Sequence, residues 1–167
     1  MHYTGNSGTF LFKKHIDVIR IYLYKINIMG LVYADIKLIN GDDVVLARRN
    51  IIGKEEVKEM YVNMLVDTGS YNLCINEDIQ SVLQFNIVEK RMAETADGRI
   101  VECDVVDNVQ VRFKNRATTC RAMILPGSCE PLLGAIPLED MDVLIDPQRQ
   151  ELIVNPEHPY TAQMKLK

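Results

Sequence analysis

The stretch "NMLVDTGSYNLCI", residues 63–75, ends an apolar run on an acid. A small hydroxyl residue, a glycine and a second hydroxyl residue follow before apolar residues return. A carboxylate at the end of a buried run is expensive to desolvate unless it is hydrogen-bonded or put to use. Gly69 lets the backbone turn tightly and brings its N–H close to the Asp67 carboxylate. The Thr68 and Ser70 hydroxyls can donate to that carboxylate or to a neighbouring copy of the loop. Donors of this kind keep an acid ionised at modest pH despite burial. The plain structural alternative is a turn after a strand, with Asp67 capping local N–H groups.

Outward from this stretch the chain reads as β-rich. Residues 31–39 alternate as a strand. Asn40-Gly41 is a turn signal, and 44–52 is a second strand candidate closed by Gly53. The second half of 56–67 reads as a buried strand running into the acid. Residues 76–85 have a helix-start pattern, with Asn76 as cap and Ile79, Val82 and Leu83 on one face. Residues 87–113 read as two strands around the Asp-Gly turn at 96–99. "NVQVRF" and "TTCRAMIL" form a further pair, and 126–131 is a loop. Residues 132–141 give an apolar run, a glycine and a short helix. Residues 142–156 form a last hairpin with Asp-Pro in its turn. Glu139, Asp140 and Asp142 read as a solvated or capping cluster. Short strands, regular turns and one or two short helices predict an all-β fold, a small closed β-barrel.

Three elements in this order resemble the retropepsin-like aspartic peptidases, and within them the prokaryotic single-domain, retroviral-type group. "LVDTGS" followed by "YNLCI" is similar to the family's active-site loop. "TADGRIVECDVV" is similar to its flap hairpin, with Ala96, Asp97 and Gly98 near the tip. "PLLGAIPLEDMDVLIDP" resembles its late apolar-apolar-glycine segment and short helix. The resemblance covers most of 31–156. It implies an aspartic endopeptidase that uses two carboxylates. One D-T-G motif is present, so the second would come from another chain, and a twofold homodimer would bring the two Asp67 residues together. Thr68 would cross-brace the paired loops, Gly69 would give close backbone approach, and Ser70 would donate to the outer carboxylate oxygen. The Ala96–Asp97–Gly98 tip would close over an extended peptide. Leu132, Leu133 and Gly134 would pack behind the loop. Tyr71 stands where the family often has a small residue or serine. The alternative on the same fold is a non-catalytic dimeric peptide-binding module; a third reading is a protein that trims its own N-terminus.

Composition bounds these readings. A chain of 167 residues suits one domain with a sizeable core. A net charge of −4 argues against nucleic-acid or anionic-membrane partners. Cys74, Cys103, Cys120 and Cys129 are widely spaced, and His2, His15 and His158 are scattered, so no zinc spacing exists. No metal or organic cofactor is expected. The cysteines read as free thiols in a reducing compartment, and a cytoplasmic location follows. Residues 1–28 are apolar but interrupted by charges, too short of apolar length to span a bilayer and without the pattern of a secretory signal. They are expected to be an extension outside the fold, with translation starting at Met29; the rival is an amphipathic surface arm. The domain is then 29–156, and 157–167 a flexible tail.

Overall fold

A computed structural model describes residues 30–95 and 98–164. The segment 1–28 and the expected flap-tip residues Ala96 and Asp97 lie outside them. By its contacts the chain divides into two units, Met1–Leu31 and Val32–Lys167, and every element below belongs to the second.

The elements run β1 (Val32–Asn40), α1 (Gly41–Arg48), a 3-10 turn (Lys54–Glu56), β2 (Glu59–Val66), β3 (Leu73–Asn76), α2 (Glu77–Leu83) and β4 (Ile87–Glu94). They continue with β5 (Ile100–Phe113), β6 (Arg116–Leu125), β7 (Leu132–Leu133), α3 (Ala135–Asp140), β8 (Val143–Asp146) and β9 (Glu151–Val154). Seven strands form one sheet in the order β1-β2-β7-β3-β6-β5-β4, and a further β1–β5 pairing closes all but β4 into a ring. The strand ring is what the mostly-β reading predicts. β8 and β9 form a separate two-stranded sheet.

Period-two alternation aims alternate side chains into the ring. Val32, Ala34, Ile36 and Leu38 of β1 and Val62, Met64 and Val66 of β2 point inward, joined by Val109 and Val111 of β5. Each fully buried side chain of this size contributes roughly 1.5–3 kcal/mol relative to exposure. β5 bends where its pairing with β6 shifts between Val106 and Val109, with Asn108 at positive φ. Such a bulge lets one long strand serve both the ring and the β4–β5 hairpin.

One expected strand is a helix. Asn40-Gly41 reads as a hairpin turn and 44–52 as a strand, but Gly41–Arg48 is α1. The Asn40 side chain accepts from the N–H groups of Asp42 and Asp43 at 3.0 and 3.2 Å, the geometry of an N-cap. Asp42 and Asp43 lie in the first turn and Arg48 in the last, both favourable to the helix dipole. Gly41 is needed for proximity rather than for turning: a Cβ there would stand 2.3 Å from Asn108 Oδ1. Asn40 also donates to the carbonyls of Leu83 and Gln84, at 2.9 and 3.2 Å, so one buried amide ties the start of α1 to the end of α2.

α2 keeps its predicted Asn76 cap, which accepts from Ile79 N–H at 3.0 Å. Ile79 and Leu83 are buried, whereas Val82 is exposed, because a helix this short seats only one i, i+4 pair. Of the late acidic residues Glu139 is exposed, as a solvated residue would be, whereas Asp140 and Asp142 are engaged. Asp140 accepts from the Thr118 hydroxyl. Asp142 accepts from Asn155 at 2.7 Å, His158 at 2.7 Å and Gln163 N–H at 3.1 Å. The described part of the 157–167 segment is tied at further points: Asn115 donates to Pro159 O at 2.9 Å, and Arg116 to His158 O. Among the described residues no helix is long and apolar enough to cross a membrane.

Candidate active site

The D-T-G-S loop leaves the end of β2 and returns as β3. Between these strands lies the two-residue β7, parallel to β2 (Val66 beside Leu133) and antiparallel to β3 (Cys74 beside Leu132). The Asp67 N–H donates to Leu133 O at 3.0 Å, and Leu65 N–H to Pro131 O at 3.0 Å. The loop's own carbonyls are then taken by the chain after β7. Ala135 N–H donates to Ser70 O at 2.7 Å, and Ile136 N–H to Tyr71 O at 3.0 Å. The unpaired amides at the start of α3 thus satisfy a loop that would otherwise lack partners.

Gly134 makes this docking possible. A Cβ on it would lie 2.2 Å from Asn72 O and 2.7 Å from Ser70 O, both backbone atoms that cannot swing aside. Leu133 is fully buried beneath the loop. The Leu132-Leu133-Gly134 segment therefore lies directly behind Asp67.

The loop bends back on itself through Ser70 N–H to Asp67 O at 3.2 Å. Gly69 N–H donates to Asp67 Oδ1 at 2.9 Å, the close approach expected of this glycine. Asp67 is half-buried, and among the described residues its other oxygen, Oδ2, accepts no hydrogen bond. The Ser70 hydroxyl departs from its expected role: within one chain it donates to Asn72 O at 3.2 Å, not to the Asp67 carboxylate. Thr68 is exposed and borders a hollow of about 300 Å³ with Ala135, Leu138, Glu139, Val143 and Ile145. Tyr71 is 78% exposed and does not pack into the loop.

Cys74 sits 3.8 Å from Ser70 Oγ, close enough to raise the question of a thiol nucleophile. Burial pushes its pKa up, so the thiol stays neutral and serves as packing. Burial likewise pushes the Cys120 thiol up to about 12, with Asp140 adding to the effect. All four cysteines are free; Cys129 is exposed. Among the described residues no group of three or more His, Cys, Asp or Glu side chains converges as metal ligands would.

Of the expected flap tip only Gly98 is described. It has φ +79°, and its N–H donates to Thr95 O at 2.8 Å, closing the turn between β4 and β5. The antiparallel pairing from Glu94–Ile100 to Ile87–Val106 makes a hairpin of the kind the sequence predicted. Asn72 escaped sequence reading. Its carbonyl receives Ser70 Oγ and its amide points at Met123 Sδ, 3.7 Å away, linking the loop to β6. Its place two residues beyond the D-T-G-S tetrapeptide was the available signal.

A family profile described as an aspartyl protease matches residues 54–145, from the 3-10 turn to β8, which is more than half of the chain. No curated protein matches it.

Proposed function

The chain belongs to the retropepsin-like aspartyl protease family, and on that premise we propose that it is a cytoplasmic, homodimeric aspartic endopeptidase acting on extended polypeptides. One observation carries the reading. Asp67 is fixed by its own loop through Gly69 N–H and by β7 through Leu133 O, yet keeps one oxygen open at the protein surface. A structural carboxylate would be saturated with donors; this one is anchored and left accessible.

A twofold axis beside Thr68 would bring two such carboxylates together. Two close acids cannot both ionise cheaply, so the pair shares a proton, as aspartic-protease dyads do. The ionised Asp67 takes a proton from water, and the protonated one donates to the scissile carbonyl oxygen. The pair titrates as a unit, so neither subunit owns either role. Thr68, exposed beside an apolar hollow, is free to brace the partner's loop. The β4–β5 hairpin, with Gly98 at its turn, covers a peptide that pairs through its backbone as an added strand. Four free thiols fit a reducing compartment.

The test is a peptide library incubated with the purified protein and with Asp67→Asn, the products read by mass spectrometry. Cleavage by the parent and its loss in the variant support the proposal. Equal cleavage by both rejects it, and binding without cleavage across acidic to neutral pH assigns the fold to a peptide-binding module instead.

A further inference from the structure

We propose that Arg91 and Arg121 form an outer subsite, beside the catalytic loop, that selects a substrate carrying an acidic side chain several residues from the cut. The inference deepens the peptidase reading and rests on it. A shallow cleft of about 30 Å³ is bounded by Asn72, Arg91, Val105, Arg121, Ala122 and Met123. It holds little more than one water-sized group, so it suits the tip of a side chain.

Strand register brings these residues to one face. Glu89 pairs with Val105 and Arg91 with Cys103 across β4–β5, and Val105 pairs with Met123 across β5–β6. Period two then places Glu89, Arg91, Met123 and Arg121 on the same side. Val105, on this same face, is buried and makes a firm floor, with Ala122 lining the cleft between Arg121 and Met123. Asn72 joins the cleft to the catalytic loop, since it lies two residues after Ser70 and reaches Met123. A peptide extended along the loop under the β4–β5 hairpin runs past this point and presents every second side chain to it.

The charges do not balance. Glu89 Oε1 receives both Arg91 Nη2, at 2.7 Å, and Arg121 Nη1, at 3.0 Å. Two guanidiniums share one carboxylate, which leaves one positive charge and unused N–H donors facing solvent. Both arginine side chains are about half exposed, at 53% and 55%. A surface ion pair alone adds little stability. A second carboxylate, brought by substrate, completes the network with charge-assisted hydrogen bonds.

The experiment uses paired apolar peptides that differ only by Glu or Gln, scanned through the positions on either side of the cut. Cleavage is followed with the parent protein, and binding with Asp67→Asn by fluorescence anisotropy. The Glu/Gln preference is expected to be about fivefold at one outer position, on the scale of one exposed charge pair, and to shrink in high salt. It disappears in Arg91→Gln/Arg121→Gln and grows in Glu89→Gln, where the competing carboxylate is gone. Equal handling of Glu and Gln peptides at every position, or a preference that survives the double arginine substitution, overturns the subsite. Peptides cut without charge preference sink the subsite and leave the peptidase reading standing. Peptides bound with the preference but never cut do the reverse. Peptides neither bound nor cut overturn both.

Discussion

Asp67 and Asp142 are the same residue type held in opposite ways. Asp142 receives hydrogen bonds from Asn155, His158 and Gln163. Its carboxyl is held down at about 2, chiefly by the Asn155 hydrogen bond; burial, the next largest effect, opposes this, and Gln163 N–H and His158 add to the lowering. It is a knot that ties the late segment 155–163 to the start of β8. Asp67 receives Gly69 N–H alone on one oxygen and leaves the other open. The first acid is saturated and structural; the second is fixed in place but unfinished. The number of donors around each carboxylate, rather than its burial, is what distinguishes the two.

The largest expected effect comes from removing the unfinished acid. Asp67→Asn keeps an acceptor for Gly69 N–H, so the fold stays within about 1 kcal/mol of the parent. Peptide cleavage should fall by about 10³-fold or more, the scale of a lost general base. Chemical denaturation alongside a cleavage assay reads both. If Asp67→Asn instead unfolded the domain, Asp67 would be a structural acid like Asp142 and the contrast would vanish.

Next comes the support beneath the loop. Gly134→Ala drives a methyl into Asn72 O and Ser70 O, and should cost about 1–3 kcal/mol of stability in urea melts. Asn40→Ala removes a cap and leaves the carbonyls of Leu83 and Gln84 without their donor, with a loss of about 2 kcal/mol. It is remote from Asp67 along the fold, so cleavage by the folded fraction should be unchanged; a drop in that intrinsic rate would show that the α1–α2 tie also sets the site.

The smallest effect concerns the saturated acid and is read against pH. Because its folded pKa lies below its ordinary value of 3.8, Asp142 contributes stability that is complete above about pH 4 and is lost as pH falls toward about 2. Asp142→Asn should remove that part of the acid dependence, flattening the melting-temperature profile between those limits. An unchanged profile would mean that the knot is not what titrates.

The strands were legible because period-two burial writes itself into β1, β2 and β6, and the candidate loop was legible because D-T-G-S follows a buried strand and precedes Leu-Leu-Gly. α1 was not legible. Asn40-Gly41 carries a turn signature, and only the contact with Asn108, sixty-odd residues on, shows that the glycine is there for closeness. The family resemblance implies that the Ser70 hydroxyl donates to the carboxylate, whereas the local bend through Asn72 offers it another acceptor. The Asp142 knot could not be read in advance, since its partners lie 13, 16 and 21 residues away.

If one chain carries only half of a catalytic site, activity must depend on the dimer. Specific activity measured over a dilution series, with sedimentation of the same samples, tests it most directly. Activity per chain should fall in step with the loss of dimer, and fall again when Asp67→Asn chains are mixed in. A strictly monomeric protein with constant activity per chain at every concentration would contradict it.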